Sequence, residues 1–439
     1  MAKTFKGGLH IDDHKSITAS IPISFAEGSD IHVFPLQQHI GAPIEPVVKV
    51  GDSVKVGDLI ADNPEAFMCV PLHSSVSGVV KAIEPRVHTS GAKVTSIIIE
   101  NDKLYEKSEN LLPKNPDNMT SQEIIKVIRD AGIIGMGGAG FPTHVKLSPS
   151  ADKKITHVIV NGAECEPYLT SDHRRLLEIP ETVIDGLQIV MKALNLKEGY
   201  IGIELNKKDA IEVIKKHAPE NIKIVSLKTK YPQGAEKQLI YAICGKQVPS
   251  GGLPADAGVI VLNVDTVTQI SKTFRTGMPL IERIVTMSGD CFNEPKNLLV
   301  RMGTSFNDLI NICGGFSKQP QKLISGGPMM GIAQYTTDVH VIKTTSAILA
   351  LSDTGDTFEN GSVCIRCGKC VEKCPMKLMP LYLNKFARKE DFESAVKYNI
   401  LDCIECGICS YLCPGLQSPL VNIRLAKQKI IEHRRKNQK

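Results

Sequence analysis

Apolar and polar positions alternate along Val48-Lys49-Val50-Gly51-Asp52-Ser53-Val54-Lys55-Val56-Gly57-Asp58. A period of two broken by Gly-Asp turns predicts short strands and hairpins. Val76-Ser77-Gly78-Val79-Val80 starts another such unit, so residues 36–105 read as a small β domain behind an N-terminal extension at 1–35. After a polar linker from Lys107 to Asn118 the period lengthens. Thr120-x-x-Glu123 is a capping box, and Ile124, Ile125, Val127 and Ile128 give the helix that follows its apolar face. Strands are predicted at Thr156–Val160, Tyr200–Leu205, Ile222–Leu227 and Val259–Val264, with helices near Thr182–Leu194 and Glu236–Ile243 between them. This alternation makes 115–275 an α/β layer. Over 278–335 the pattern changes again, with strands at Arg283–Gly289 and Leu298–Val300, a helix at Ser305–Ile312, and Gly314-Gly315 closing it. Leu378–Lys389 and Phe392–Tyr398 read as helices within a last domain at 356–420, and a basic tail at 421–439 carries Lys427, Lys429, Arg434, Arg435, Lys436 and Lys439. The fold class is therefore α/β, multidomain.

Composition narrows the chemistry. A chain of 439 residues calls for several cores. It has no Trp, 5% aromatic residues and a net charge of +5, which excludes an aromatic nucleic-acid platform and leaves no nucleic-acid partner. No apolar run is long enough to span a bilayer and the N-terminus lacks a secretory pattern, so a cytoplasmic chain is expected. Its thirteen cysteines are then not a disulfide framework. Cys69, Cys165, Cys244, Cys291 and Cys313 lack ligand spacing and read as packing residues.

The other eight form two copies of one pattern. Cys364, Cys367, Cys370 and Cys374 precede Pro375; Cys403, Cys406, Cys409 and Cys413 precede Pro414. Both read C-x2-C-x2-C-x3-C-P, the bacterial ferredoxin pattern for two [4Fe–4S] clusters. The first three cysteines of a run wrap three corners of a cubane, and the fourth serves the other cluster. Cys364, Cys367, Cys370 and Cys413 are thus expected at one cluster, and Cys403, Cys406, Cys409 and Cys374 at the other. Structural zinc sites pair two knuckles across a longer gap, a poor match to two complete runs.

Gly135-x-Gly137-x-x-Gly140 matches the dinucleotide fingerprint literally, but a helix precedes it and a strand follows, the reverse of what that fingerprint requires. The longer string, Gly132 through Gly135, Gly137, Gly138, Gly140, Phe141, Pro142 and Thr143 to Lys146, resembles the flavin loop of the NADH-binding flavoprotein of respiratory complex I. The resemblance implies that backbone amides close on FMN and that Lys146 faces its phosphate. Asn161-Gly162-Ala163-Glu164-Cys165-Glu166-Pro167 resembles the same family's acidic segment. This implies that Asn161 contacts flavin and that Glu164 and Glu166 line the flavin–nicotinamide space. Tyr231-Pro232-Gln233-Gly234-Ala235-Glu236 and Asn263-Val264-Asp265-Thr266 are weaker matches, which bring in Gly234, Glu236 and Asn263. Met136, Leu147, Ala163 and Ala235 depart from the family pattern.

Residues 36–105 resemble the lipoyl/biotinyl-type hybrid barrel, and 278–335 the β-grasp domain that follows the flavin domain in complex I-type flavoproteins. The stretch Glu65-Ala66-Phe67-Met68-Cys69 has no lysine to carry a cofactor, which leaves docking or structure as the barrel's role. The order of parts is Phe5-Lys6-Gly7-Gly8-Leu9-His10, N-terminal hybrid β-barrel, complex I-type α/β flavin domain, β-grasp domain, Ser325-Gly326-Gly327-Pro328-Met329-Met330-Gly331, and C-terminal two-cluster ferredoxin-like domain. This order resembles the RnfC family, peripheral members of Rnf ion-pumping electron transport complexes, over nearly the full chain. The resemblance implies an oxidoreductase subunit with two [4Fe–4S] clusters, FMN and NAD(H), and no catalytic triad. Implied partners are an iron–sulfur subunit, membrane-embedded subunits and, indirectly, ferredoxin, with peripheral attachment at the cytoplasmic face of the membrane. Nicotinamide exchanges a hydride and a cubane one electron; a flavin serves both modes, so FMN is expected between them. Propanediol-type cobalamin reductases share this domain order, and a nucleotide-free electron conduit is the third reading.

Overall fold

Phe34 and Ile97 face each other across two antiparallel strands and lose all solvent contact, as a two-residue period demands of its inner face. The computed structural model describes residues 2–352 and 363–437; residues 356–362 of the expected cluster domain and Lys439 of the tail lie outside them. The first residues build β1 (Ile23–Phe25), β2 (Ile31–Pro35), β3 (Glu45–Pro46), β4 (Ser53–Val54), β5 (Leu59–Asp62), β6 (Leu72–His73), β7 (Gly78–Val87) and β8 (Lys93–Asn101). Strands β2-β8-β7-β4 form one antiparallel sheet and β3-β5-β6 a second. Val54, Ile60, Val70, Leu72 and Ile99 belong to the buried core that these strands share with the next unit. The expected extension at 1–35 is not a separate part: β2 belongs to this barrel, and β1 pairs in parallel with a strand far along the chain.

The middle unit opens with α1 (Ser121–Asp130). The Thr120 side chain accepts from the Glu123 amide, while the Glu123 carboxylate accepts from the Thr120 amide at 2.7 Å, closing the capping box. The glycine-rich loop then leads into α2 (Thr143–Leu147), a short helix absent from the sequence expectation. The order continues β9 (His157–Gly162), α3 (Ser171–Glu178), α4 (Pro180–Ala193), β10 (Gly199–Glu204), α5 (Lys208–His217), β11 (Ile222–Leu227), α6 (Glu236–Cys244), β12 (Val259–Asn263) and α7 (Val264–Thr276). All strand pairs are parallel in the order β11-β10-β9-β12. Helix α4 crosses α7 so closely that a Cβ on Gly186 would lie 1.9 Å from the Val267 carbonyl oxygen.

The third unit contains β13 (Glu282–Gly289), β14 (Lys296–Arg301), α8 (Phe306–Ile312), β15 (Lys322–Ser325), β16 (Ile332–Gln334) and β17 (Ala347–Leu351). Its sheet runs β1-β14-β13-β17-β15-β16, so the N-terminal segment supplies an edge. The last unit is helical: α9 (Lys369–Lys373), α10 (Pro380–Arg388), α11 (Phe392–Lys397), α12 (Ile408–Tyr411) and α13 (Pro419–Asn437). The expected tail at 421–439 is mostly α13. Ile423, Ala426 and Ile430 recur on one face and pack with Leu383, Ala395 and Ile400, and Lys427 pairs with Glu405 at 2.7 Å. A charge count reads this segment as solvated, whereas its three-to-four-residue apolar spacing makes it a packed helix. Among the described residues no helix is long and apolar enough to cross a membrane.

Candidate functional site

In the parallel sheet the chain runs β9, β10, β11 to one side, then returns so that β12 lies on the other side of β9. The crevice outside the carboxyl ends of two strands at such a reversal is where open α/β sheets bind ligands. Asn161 near the end of β9 and Asn263 at the end of β12 are register partners there.

The glycine loop covers this crevice. The Gly135 amide donates to the Phe141 carbonyl at 2.8 Å, closing the loop, and the Met136 amide donates to Thr266 Oγ1 at 2.9 Å, tying it to α7. A Cβ on Gly137 would sit 2.8 Å from Asn263 Nδ2, whereas a Cβ on Gly138 would meet nothing within 4 Å. The loop therefore rests on Asn263 through Gly137 and leaves open space at Gly138. Asn263 Nδ2 donates to Asp172 Oδ2 at 2.7 Å, and the Asp172 amide donates to Glu164 Oε1 at 2.7 Å. Burial, with Glu164 and Asp265 nearby, pushes the Asp172 carboxyl well above its usual range. Asn161 Nδ2 donates to the Gly234 carbonyl at 2.8 Å, and the Gly234 amide donates to Cys165 Sγ at 3.3 Å. Four of the matched strings thus meet at one sheet edge. Their open space and backbone amides suit a flavin.

The acidic residues are more enclosed than the sequence reading expects. The Glu164 side chain is 3% exposed and lies 3.8 Å from Lys15 Nζ. Glu166 Oε2 accepts from the Met329 amide at 3.1 Å, and Tyr231 Oη lies 3.3 Å from Glu166 Oε1. Enclosure raises the Glu166 carboxyl to about 7, against the opposing pull of these contacts. The Gly326–Gly331 turn closes over it: a Cβ on Gly327 would lie 2.2 Å from Glu166 Oε2. Lys146, expected at a phosphate, instead pairs with Glu236 and donates to the Val261 carbonyl at 2.9 Å. The buried lysines Lys15 and Lys207, and the role of Tyr231 at Glu166, are absent from the sequence reading; only the match around Tyr231 pointed toward any of them.

Tyr231 Oη donates to the Cys406 carbonyl at 2.8 Å, joining the flavin-side edge to the cysteine-rich module. There, Cys374 lines a cavity of about 400 Å³ with Cys403, Cys406 and Cys409. Cys364, Cys367, Cys370 and Cys413 line a second, of about 490 Å³. Cys370 also borders the first cavity and Cys409 the second, between the two. Burial and then the charges of Cys403 and Cys374 drive the Cys406 thiol up to about 12. Bringing these thiolates together needs cationic centres, and eight thiols around two cavities suit two cubanes. Cys364 and Cys367 are exposed, whereas Cys374 is buried.

Known proteins share this organisation. Family models match in chain order: the RnfC Barrel sandwich hybrid domain over residues 3–104, the Nuo51 FMN-binding domain over 128–272, the SLBB domain over 284–333 and the 4Fe-4S dicluster domain over 357–414. The chain is similar to the C subunit of the Na(+)-translocating ferredoxin:NAD(+) oxidoreductase complex of Acetobacterium woodii, with 47% identity over 99% of this chain and 98% of that one. It is also similar to the C subunit of the proton-translocating ferredoxin:NAD(+) oxidoreductase complex of Clostridium ljungdahlii, with 48% identity over 92% of this chain and 88% of that one. Among solved structures, an NAD+-reducing [NiFe]-hydrogenase in the air-oxidized state shares the fold, with TM-score 0.50 and 17% identity over 70% of this chain and 61% of that one.

Proposed function

The chain belongs to the RnfC family of ion-translocating oxidoreductase complexes, and from that premise we propose how its residues pass electrons between NAD(H) and iron–sulfur partners. It is an oxidoreductase subunit with an FMN-binding domain and a 4Fe-4S dicluster domain. FMN, when bound, supplies a centre that exchanges a hydride with nicotinamide and single electrons with a cubane. The backbone amides of Gly137, Gly138 and Gly140 would hold it, in the loop that the Gly135–Phe141 hydrogen bond closes, with Asn161 and Asn263 beside that loop. Phe141, Glu164, Glu166, Gly234, Glu236 and Lys146 shape the surrounding wall. Cys374, Cys403, Cys406 and Cys409 hold the cluster on the flavin side. Cys364, Cys367, Cys370 and Cys413 would hold the outer one, beside the exposed Val363 and Ile365.

The observation that carries this reading is the Tyr231–Cys406 hydrogen bond, which abuts the inner cysteine cavity on the flavin-side crevice. The partners are an iron–sulfur subunit and membrane-embedded subunits of the same complex, with ferredoxin reached indirectly. Attachment is peripheral, at the cytoplasmic face. Both relatives named above belong to ferredoxin:NAD(+) oxidoreductase complexes, and the cobalamin-reductase alternative has no such support from them. Anaerobically purified protein is expected to hold FMN and about eight iron atoms, from two four-iron cubanes. Titration with NADH is expected to bleach the flavin and then raise reduced-cluster EPR signals. Iron with neither FMN nor NADH reactivity would overturn the reading in favour of a plain conduit.

A further inference from the structure

The acidic segment after β9 is gripped by two buried lysines from outside it. Lys207 Nζ donates to the Ala163 carbonyl at 2.7 Å. Lys15, from the N-terminal segment, donates to the Glu166 carbonyl at 2.9 Å and to the Leu169 carbonyl. It is also the cation facing Glu164 Oε2. That oxygen is buried without a hydrogen bond, and Glu164 is held in the left-handed region at φ 45°. Residues 163–169 therefore keep their shape through tethers rather than through regular secondary structure. The N-terminal segment is seated for this task. Thr18 Oγ1 lies 2.7 Å from Thr170 Oγ1, and the Tyr168 amide donates to the Asp13 carbonyl at 2.7 Å.

We propose that Lys15 is a positioning residue of the flavin site, completing from outside the flavin domain the acidic wall that Glu164 and Glu166 form. The proposal rests on the flavin reading above. An isolated buried cation carries a large desolvation cost and an isolated buried carboxylate likewise, so each holds the other in place. Burial lowers the Lys15 ammonium pKa, and Glu164 opposes that shift. With the cation removed, Glu164 is left uncompensated beside Asp172, and the carbonyls of Glu166 and Leu169 lose their donor. The segment then relaxes away from the crevice.

The test uses the full chain with both clusters, its flavin removed and FMN titrated back by fluorescence quenching. Lys15→Met is expected to weaken FMN binding at least tenfold, to shift the flavin midpoint to lower potential, and to raise amide exchange at 163–172. Thr18→Val, which loosens the same N-terminal segment without touching charge, is expected to lower the thermal midpoint and leave the flavin potential unchanged. Should Lys15→Met fail to fold, Lys15→Met with Glu164→Gln removes both charges; it is expected to weaken FMN binding and raise exchange at 163–172 while leaving the flavin potential near wild type, and wild-type FMN affinity and exchange in it overturn the proposal. A folded variant with wild-type FMN affinity and flavin potential overturns the proposal. Wild-type protein that takes up no FMN strikes the flavin reading instead; the proposal's structural half then stands or falls on the 163–172 exchange.

Discussion

The Tyr231 hydroxyl donates to the Cys406 carbonyl at 2.8 Å while lying 3.3 Å from the Glu166 carboxylate. One side chain thus touches a cluster-binding loop and the acidic wall of the flavin crevice. Hydrogen bonds and burial around a cluster set its potential. Tyr231→Phe keeps the ring and removes the donor. The cluster at Cys374, Cys403, Cys406 and Cys409 is expected to titrate at lower potential by EPR, with the outer cluster unmoved. Loss of a single neutral hydrogen bond costs about 1 kcal/mol, so the fold should persist.

The fourth cysteine of each run lines the cavity of the other run. Cys374→Ser is therefore expected to perturb the cluster at Cys403, Cys406 and Cys409, and Cys413→Ser the one at Cys364, Cys367 and Cys370. Separate EPR or Mössbauer signatures in the two variants check this. Loss of the first run's cluster alone in Cys374→Ser contradicts it.

Two neighbouring glycines separate packing from ligand contact. Gly137→Ala places a methyl group against Asn263, whereas Gly138→Ala points into open space. Gly137→Ala is expected to lower both stability and FMN occupancy. Gly138→Ala is expected to leave the thermal midpoint of the flavin-free protein within a degree or so, since surface changes of this kind stay within about 0.5 kcal/mol. It should still cut FMN affinity, because the proposed flavin site uses that open space. Equal FMN affinity in Gly138→Ala and wild type contradicts this placement.

Much of this was legible beforehand because the signals were local. The capping box at Thr120 and Glu123, the strand at Ile222–Leu227 and the helix at Glu236 follow from short-range periodicity and propensity. The cysteine runs carry their ligand logic in their spacing. The tethers were not legible, because their partners are far apart in sequence. Lys15 and Glu166 are separated by 151 positions, and Tyr231 and Cys406 by 175. No periodicity encodes such contacts. Lys146 shows the complementary case: motif matching directs it at a phosphate, and no local signal announces the Glu236 carboxylate and the Val261 carbonyl that the fold brings to it.

Glu166 gives the pH test. Its ordinary value is 4.5, and enclosure beneath the Gly326–Gly331 turn raises it to about 7 in the folded chain. A carboxyl with a raised folded value holds its proton in the native state after the unfolded chain has released it. Its contribution is fully present below about 4.5 and is lost as pH rises toward about 7. The change amounts to at most about 3 kcal/mol, less where solvent still reaches the side chain. The thermal midpoint should therefore fall between these pH values by more in wild type than in Glu166→Gln, which cannot ionise. The same ionisation places a negative charge beside Tyr231, so the inner-cluster potential should drop over this range in wild type and hold steady in Glu166→Gln. Parallel pH profiles in the two proteins would show that this carboxyl does not titrate there.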